Sequence, residues 1–425
     1  MTDFRHASSS ALRSLLEETE RRYEQFKAKG LKLDMTRGKP STEQLDLASG
    51  LFTNLAAMDY ASADGTDTRN YGGLDGLPEV KTLFAEIFET APAQVVIGGN
   101  SSLQMMHDTI VRALLHGVPD GAGPWSRQPK VKFICPTPGY DRHFAICEHH
   151  GIEMIGVATD AHGPDMDQLE ELVANDGAIK GMWAVPKYSN PTGITYSDEV
   201  VSRLAKMPTA ARDFRIFWDN AYVVHDLYAE TDHLANILTA CAAAGHANRP
   251  YVFASTSKIS FAGAGVAAMA ASPANIADTK RHAGVQTIGP DKVNQLRHAR
   301  FFKDAASVRA HMAKHAALLG PKFHAVGRIF QAELGGKGVA TWTTPRGGYF
   351  VSLDTIDGCA SEVVKLADQA GVKLTNAGAT FPYGKDPRNR NVRIAPSLPP
   401  LEQVELAMQV VTVCVQLASA RALSK

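Results

Sequence analysis

A series of short, β-rich apolar segments alternating with helical stretches begins near residue 131, and it constrains the fold more than any other feature of this sequence. The apolar segments lie at residues 131–135, 151–158, 181–185, 215–218, 251–254 and 266–271. In such an alternation each helix carries the chain back across a face of the sheet, so that successive strands run parallel. We therefore predict an α/β fold, with a large domain whose mostly parallel sheet is covered by helices on both faces.

After residue 320 the pattern changes to that of a smaller α+β unit. A long helix to about Leu334 is followed by two antiparallel strands around a turn at Pro345-Arg-Gly-Gly. The rest of this unit is predicted to be a helix, a strand and a second helix, over residues 361–370, 391–394 and 401–423.

The N-terminal segment is expected to join that smaller unit. Residues 8–30 have leucines, alanines and charges at helical spacing and end in a glycine, which predicts an amphipathic helix. No linker tract or internal repeat separates the two units, so we expect them to pack closely. The predicted division is a large domain over 46–320 and a small domain formed by 1–45 and 321–425.

The composition is that of an ordinary globular protein of 425 residues. Apolar side chains make up 44% and charged side chains 21%, which argues against disorder or a coiled coil. The 44 basic and 44 acidic side chains cancel, so no overall field attracts nucleic acid or an anionic membrane. The expected partner is a small molecule.

Neither a signal peptide nor a membrane span is expected. Residues 1–10 are polar, and the longest apolar stretch, 261–271, is well short of the roughly 18 residues that a span needs. The five cysteines are few, odd in number and scattered, which is typical of free thiols in a reducing compartment. We expect a cytoplasmic protein.

Polar clusters follow four of the predicted strands, at 136–140, 187–193, 219–222 and 255–258. Ligands of an open parallel sheet bind beyond the carboxyl ends of its strands, so we expect these clusters to meet in one crevice. Each cluster alone has an ordinary explanation, since Asn-Pro-Thr-Gly is a turn sequence and an acid after a strand often caps a helix. Their conjunction points to a ligand site.

Together with Arg393 in Val-Arg-Ile-Ala-Pro-Ser, these clusters resemble the fold-type I pyridoxal-phosphate enzymes, and among them the class I aminotransferases. Three longer strings resemble a bacterial subgroup labelled MocR-like or aspartate aminotransferases. They are Thr36-Arg-Gly-Lys-Pro-Ser41, Asn70-Tyr-Gly-Gly-Leu-Asp-Gly76 and Cys135-Pro-Thr-Pro-Gly-Tyr-Asp-Arg-His-Phe144. The resemblance extends from about Thr36 to the C-terminus and implies pyridoxal 5′-phosphate as the cofactor.

The resemblance assigns the central chemistry to Lys258 and Asp219. A lysine supplies the amine that holds pyridoxal phosphate as a Schiff base, and once released it can move the proton of the substrate Cα. A buried carboxylate beside the cofactor ring keeps the ring nitrogen protonated, which favours electron withdrawal. We expect Lys258 in the first role and Asp219 in the second.

Three further residues are expected around the cofactor ring. Asn190 and Tyr222 resemble the pair that hydrogen-bonds the 3′-oxygen of the cofactor in this family. Tyr140 resembles the aromatic residue that stacks on the ring, and Phe144 is the competing choice. An ordinary core position is the alternative for Tyr140.

The cofactor phosphate is expected at the start of a helix, where free N–H groups and the helix dipole favour an anion. The string Gly98-Gly-Asn-Ser101-Ser102 precedes such a helix, with glycines that let the backbone approach and serines that donate hydrogen bonds. Ser255 and Ser257 resemble further phosphate ligands.

Two other features concern the same phosphate. Tyr71 matches the position from which many family members reach the phosphate of the neighbouring subunit, which implies a homodimer with shared sites. The family also places an arginine about eight residues beyond the lysine, in a Gly-x-Arg context, whereas Lys258 is followed by Ile-Ser-Phe-Ala-Gly-Ala-Gly-Val. The sequence departs from the family pattern here, so the phosphate must find its positive charge elsewhere or rely on amides and hydroxyls.

Arg393 resembles the arginine that forks onto the substrate α-carboxylate, with Asn190 beside it. Arg37 and Gly38 lie where the N-terminal segment of the family covers the substrate, so Arg37 is placed to meet a second carboxylate. A surface ion pair or an ordinary exposed arginine is the alternative in each case.

The leading hypothesis is an aminotransferase that moves an amino group from an amino acid, aspartate or glutamate, to a 2-oxo acid, 2-oxoglutarate. One rival is a β-lyase that uses the same cofactor. The other is a transcriptional regulator that senses the cofactor, for which the first thirty-odd residues are expected to be too short. The histidines, among them His143 and the pair His149-His150, lack a metal-binding motif, so we expect no metal site and mostly surface or capping roles.

Overall fold

The structure is a computed structural model and describes residues 3–424. Its α-helices are α1 Ser9–Lys27, α2 Thr42–Asp46, α3 Pro78–Phe88, α4 Ser102–His116, α5 Asp141–His149, α6 Met166–Asn175, α7 Asp198–Lys206, α8 Ile237–Ala243, α9 Pro273–Gln286, α10 Lys292–Phe302, α11 Ala305–Leu334, α12 Ala360–Gln369 and α13 Leu401–Leu423. Its strands are β1 Leu33–Asp34, β2 Val95–Ile97, β3 Lys132–Thr137, β4 Glu153–Ala158, β5 Ile179–Ala184, β6 Arg215–Asp219, β7 Pro250–Ser255, β8 Ala267–Ala271, β9 Ala340–Trp342, β10 Val351–Thr355, β11 Val372–Lys373 and β12 Asn391–Ile394.

Seven of these strands form the main sheet, in the order β2-β8-β7-β6-β5-β3-β4. The neighbours from β7 to β4 pair in parallel, whereas β8 is antiparallel to both β7 and β2. The four strands that precede the polar clusters, β3, β5, β6 and β7, are therefore adjacent and run in the same direction. The predicted α/β fold with a mostly parallel sheet is confirmed.

Both faces of this sheet are buried, as expected from strands that are apolar at nearly every position. Along β6, Ile216 and Trp218 belong to one hydrophobic cluster and Phe217 to another, because successive side chains of a strand point to opposite faces. Helices α3, α6, α7 and α8 cover the first face, and α4, α5 and α9 contribute to the second.

The C-terminal part forms a smaller sheet, in which β10 lies between β12 and β9 and is antiparallel to both. The N-terminal segment packs on it, since Leu33 of β1 pairs with Val372 of β11 and the Tyr23 hydroxyl donates to the carbonyl of Leu366 at 3.1 Å. These segments share one hydrophobic cluster with α11 and α13. The division into domains at residue 320 stays a prediction.

The long helix of this region begins earlier than the sequence indicated. Gly320-Pro321 is a helix-breaking signal, so the helix was expected to follow it. The structure instead shows α11 running from Ala305 to Leu334 without a break, with Pro321 inside it. Burial of Leu319 and Phe323 on either side of the proline outweighs the local cost of one missing hydrogen bond.

The helix with the longest apolar stretch is α13, not the segment at 261–271 that the sequence indicated. Within the described residues, α13 alone is long and apolar enough to cross a membrane by length and composition, with a mean hydropathy of 1.5. However, 72% of that stretch is buried inside the protein, as in a core helix. All five cysteines fall within residues 3–424 and are buried, and no disulfide joins them.

Candidate active site

A cleft of about 610 Å³ opens at the carboxyl ends of β3, β5, β6 and β7. It contains every residue that the sequence predicted for the site except Tyr71. The predicted residues that line it are Arg37, Gly38, Ser101, Ser102, Tyr140, Asn190, Asp219, Tyr222, Ser255, Ser257, Lys258 and Arg393. The expectation that polar clusters from separate strands meet in one crevice is therefore correct.

Asp219 is the last residue of β6 and lies at the bottom of the cleft, with 3% of its surface exposed. One carboxylate oxygen, Oδ2, is 3.0 Å from Nε2 of His143. The other, Oδ1, is buried and has no hydrogen-bond partner among the described residues. A buried carboxylate oxygen without a partner is rare in folded proteins, so Oδ1 is free to accept a hydrogen bond from a ligand in the cleft.

His143 is an exception to the surface and capping roles expected of most of the histidines. The side chain is 1% exposed and stacks on Trp183, with ring centroids 4.2 Å apart and planes 8° from parallel. It follows Tyr140 by three residues, so the first turn of α5 carries it beneath Asp219. The available signal was its position inside the specific string from Cys135 to Phe144.

Lys258 ends a short 3-10 turn, Thr256–Lys258, that follows β7 directly. Its Nζ lies 5.2 Å from the centroid of the Tyr222 ring. Burial lowers the pKa of this amine, while the carboxylate of Asp219 acts in the opposite direction. The backbone carbonyl of Lys258 accepts a hydrogen bond from the Tyr349 hydroxyl at 3.4 Å, which helps to hold the turn in place.

Two tyrosines flank the centre of the cleft. Tyr222 is 3% exposed, and burial, together with Tyr140 and Asp219, raises the pKa of its hydroxyl well above the usual value. Burial and Asp219 also raise the pKa of Tyr140, whose ring meets that of His143 edge-on at 4.9 Å. Phe144 belongs to the core behind the sheet and does not line the cleft, so of the two candidates only Tyr140 is placed to contact a ligand.

At one end the cleft is lined by hydroxyl groups and the start of a helix. Ser101 caps α4 by accepting from the backbone N–H of Gln104 at 3.4 Å, and Ser102 is the first residue of the helix. Ser255 and Ser257 hydrogen-bond each other through their hydroxyls at 2.8 Å. This arrangement of hydroxyls and free backbone N–H groups suits a phosphate.

Packing explains one of the two glycines before this helix. A Cβ added to Gly98 would lie 2.7 Å from Sδ of Met105, whereas a Cβ on Gly99 would have no neighbour closer than 3.7 Å. A side chain at position 98 would therefore displace the end of the Met105 side chain. The position eight residues beyond Lys258 is Val266, which is 2% exposed in the core.

Arg393 lies on β12 and reaches the opposite side of the cleft, with 8% of its surface exposed. Its Nη1 donates to Oδ1 of Asp141 at 2.9 Å and to Oδ1 of Asn190 at 3.3 Å, and Nη2 donates to the hydroxyl of Thr375 at 3.3 Å. The guanidinium also lies 5.0 Å from the centroid of the Phe350 ring. These contacts fix the plane of the guanidinium, which is the requirement for bidentate binding of a carboxylate.

Arg37 is exposed at the rim of the cleft, and Gly38 follows it in close contact with Phe350. A Cβ on Gly38 would lie only 2.1 Å from Cζ of that ring, so glycine lets the N-terminal segment lie flat against the site. Tyr71 is 81% exposed and lies outside the residues that line the cleft.

The family profile described as aspartate amino-transferase matches residues 7–425. An aspartate aminotransferase of Corynebacterium glutamicum is 51% identical over 404 residues, which cover 95% of this chain and 93% of the relative. The chain belongs to the aspartate aminotransferase family. It is therefore an enzyme, and the prediction of an aminotransferase is confirmed.

Solved structures agree with this assignment. An aspartate transaminase from Corynebacterium glutamicum superimposes with a TM-score of 0.97 at 49% identity, and the match covers 99% of each chain. An α-aminoadipate aminotransferase from Thermus thermophilus, solved with N-(5′-phosphopyridoxyl)-L-leucine, has a TM-score of 0.74 at 19% identity, covering 98% of this chain and 96% of its own. At that identity the likeness concerns the fold alone. The comparisons do not support the narrower assignment to a MocR-like subgroup.

Pyridoxal phosphate is the cofactor that this family of folds implies, and the residues of the cleft fit it. The vacant Oδ1 of Asp219 is an acceptor that a protonated ring nitrogen would satisfy. The amine of Lys258 is in the same cleft and could condense with an aldehyde. The serine hydroxyls and the start of α4 suit the phosphate.

Several residues of the cleft were missed by the sequence reasoning. Asp141, Thr375 and Phe350 line the cleft and His143 lies behind it; all four contact predicted residues, yet they come from helices and loops whose positions only the fold defines. Asp141 and His143 stood inside a string already singled out, so their proximity to Tyr140 was the usable signal. Thr375 and Phe350 had none.

Proposed function

We propose that this aminotransferase moves the amino group of aspartate to 2-oxoglutarate, or that of glutamate to a different 2-oxo acid, with pyridoxal phosphate held covalently by Lys258. The single observation that carries the proposal is that Lys258 lines the same cleft as Asp219, whose Oδ1 is buried without a partner. The aldehyde of this cofactor requires an amine, and its ring nitrogen requires a carboxylate with an oxygen free to accept a hydrogen bond. When bound, the cofactor withdraws electrons from the substrate Cα, which makes the proton there acidic.

Lys258 is proposed to be the catalytic base. The lowered pKa of its amine increases the neutral fraction near neutral pH, and only the neutral amine can accept a proton. The charge of Asp219 raises the pKa of Lys258 and so offsets part of the lowering that burial causes. The proton taken from the substrate Cα would thus reside on Nζ of Lys258 before it is delivered elsewhere.

Asp219 is proposed to hold a proton on the aromatic nitrogen of the cofactor by accepting it as a hydrogen bond on Oδ1. His143 occupies Oδ2 at 3.0 Å, so the carboxylate cannot rotate away without losing that contact. The stacking of His143 on Trp183 fixes the imidazole in turn. Orientation of a buried charge by a second buried group reduces the reorganisation that a reaction requires.

Asn190 and Tyr222 are proposed to donate to the phenolic oxygen of the cofactor, and Tyr140 to stack on its ring. Asn190 and Tyr222 are each 3% exposed and line the cleft beside Lys258. The raised pKa of the Tyr222 hydroxyl keeps it protonated, so it remains a hydrogen-bond donor. Ser101, Ser102, Ser255 and Ser257 are proposed to bind the phosphate.

Arg393 is proposed to bind the substrate α-carboxylate. Its Nε is buried without a partner among the described residues, and a carboxylate that pairs with it would satisfy this donor. Asn190 is a shared neighbour, since its Oδ1 already contacts the guanidinium. Arg37 is proposed to meet the distal carboxylate of a dicarboxylic substrate, with Gly38 placing it at the rim.

A panel of amino donors against 2-oxoglutarate, with cofactor added, tests the proposal. We expect aspartate to give the highest kcat/KM and its keto-acid product to appear in equal amount to the glutamate formed. Glutamate would only regenerate 2-oxoglutarate, so it is tested as a donor against oxaloacetate. A β-lyase would release pyruvate or ammonia without consuming 2-oxoglutarate. That result, or a preference for apolar donors, would overturn the assignment.

The proposal includes a homodimer with shared sites, in the cytoplasm. Tyr71 is exposed and outside its own cleft, which supports a role toward a second copy. Mixing Tyr71→Ala subunits with Lys258→Ala subunits tests this, since hybrid dimers would contain one site with both residues intact. We expect the mixture to recover activity above that of either variant; unchanged activity in a confirmed hybrid would contradict sharing through Tyr71.

A further inference from the structure

Three histidines that do not line the cleft form a cluster at the surface of the protein. His107 lies on α4, His149 is the last residue of α5, and His150 follows it. One ring nitrogen of each lies within 4.8 Å of the others. No feature of the aminotransferase chemistry described above uses these side chains.

The distance between the Nε2 atoms of His107 and His150 is close to the distance between two nitrogen ligands of one metal ion. Nε2 of His107 and Nε2 of His150 are 3.2 Å apart. Two nitrogens that bind a tetrahedral zinc ion at 2.0–2.1 Å lie about 3.4 Å from each other. The ring centroids of His149 and His150 are 4.8 Å apart. A rotation of the His149 side chain would bring one of its ring nitrogens to an ion bound between His107 and His150.

A carboxylate behind His107 favours the form of the ring that binds metal. Nδ1 of His107 lies 3.4 Å from Oδ1 of Asp108, and Oδ2 of the same carboxylate accepts from Nε2 of Gln286 at 2.9 Å. A proton on Nδ1 that points at a carboxylate leaves the lone pair of Nε2 free, as in the carboxylate–histidine–zinc arrangement of many metal sites.

We propose that His107, His149 and His150 bind one zinc ion, with Nε2 of His107, Nε2 of His150 and one ring nitrogen of His149 as ligands and water completing the site. Imidazole ligands suit zinc among the common divalent ions. This departs from the expectation of no metal site, because the ligands come from two helices and form no local motif. The ion would join α4 to α5, whose first residues both border the cleft.

Zinc binding by the cofactor-loaded protein tests the proposal. After treatment with a chelator, the protein is dialysed against zinc chloride and the bound metal is measured by mass spectrometry. We expect about one zinc ion per chain, and tetrahedral cobalt absorption in the visible range when cobalt replaces zinc. Binding of no zinc, or a cobalt spectrum of octahedral type, would overturn the site.

Zinc binding by variants of the cluster, compared with a control variant outside it, tests where the ion binds. His107→Ala and His150→Ala should each weaken zinc binding by more than tenfold, and Asp108→Asn by about tenfold, the lower end of effects seen for groups that orient a ligand. His233→Ala is the control, since His233 is exposed and outside the cluster, and it should bind zinc as the parent protein does. Equal binding by His107→Ala would overturn the proposal.

A measurement without substitutions guards against variants that fail to fold. Anomalous diffraction at the zinc edge from crystals of the unaltered protein should give a peak between the rings of His107 and His150. A peak elsewhere, or none, would mean that the 3.2 Å contact is a hydrogen bond between two imidazoles. This outcome does not depend on the substrate proposed above.

Discussion

The side of the cleft that the main sheet supplies is more deeply buried than the side supplied by the N-terminal segment. Asp219 ends strand β6, Tyr222 and Asn190 lie just beyond strands of the sheet, and each of the three is 3% exposed. Arg37, on the segment that crosses the rim, is exposed to solvent. Arg393 on β12 lies between these extremes in burial, at 8%.

This difference predicts how strongly each residue acts. Charges that are buried and held by hydrogen bonds interact through a weakly screening medium, whereas an exposed ion pair contributes about 0.2–1 kcal/mol. The sheet side is therefore expected to determine whether the reaction occurs. The rim is expected to determine which substrate is preferred. The following predictions test that division.

The largest effect is expected at Lys258. Lys258→Ala should lower kcat by more than about 10⁴-fold, the upper end of what one general acid–base supplies, because the same amine would also hold the cofactor. The visible absorbance of the bound cofactor should be lost as well, and a spectrum measures this independently of activity.

Lys365→Ala, at a side chain that is 64% exposed, serves as the control and should keep both activity and absorbance. A Lys258→Ala protein that retains the visible absorbance would show that another lysine holds the cofactor.

Asp219→Asn should lower kcat by about 10²–10³-fold, the range found when one preorganised electrostatic partner is removed. The asparagine preserves the size of the side chain and removes the charge that faces the cofactor ring. Steady-state rates at saturating cofactor measure the loss. His143→Asn should cost less, since it leaves the carboxylate of Asp219 in place and removes only the contact at Oδ2; a larger loss for His143→Asn would contradict the assigned order.

Arg393→Lys should lower kcat/KM by roughly 10–100-fold for every amino donor. The lysine keeps the charge and loses the planar fork, and a hydrogen bond to a charged group contributes about 1.5–3 kcal/mol. Arg390→Lys, three residues earlier and in contact with Asp354 instead of the cleft, is the matched control. Equal losses for the two variants would mean that Arg393 has only a structural role.

The smallest effect is expected at the rim. Arg37→Ala should lower kcat/KM for aspartate and glutamate by about fivefold, corresponding to roughly 1 kcal/mol for an exposed ion pair, and leave alanine unchanged. The ratio of the two donors is the quantity to measure. A loss of the same size for alanine would remove the proposed distal role, and Lys32→Ala controls for a general change of surface charge.

The residues after β6 and β7 show what the sequence could determine. Asp219 and Lys258 each stand directly behind an apolar strand, and parallel strands place such residues at one edge of the sheet. Their meeting in one cleft therefore followed from the order of strands and clusters along the chain. By contrast, the partner of Asp219 could not be read from the sequence, because His143 reaches it only through the packing of α5 against the sheet.

The sequence alone determined the α/β class, the family and twelve of the residues that line the cleft, because these depend on local pattern and on strings of neighbouring residues. Tertiary structure decided the contacts between distant segments. Arg393 meets Asp141 across 252 positions of chain, and His107 meets His150 across 43. Such pairs depend on how helices and strands are placed in space, and no local spacing encodes that placement.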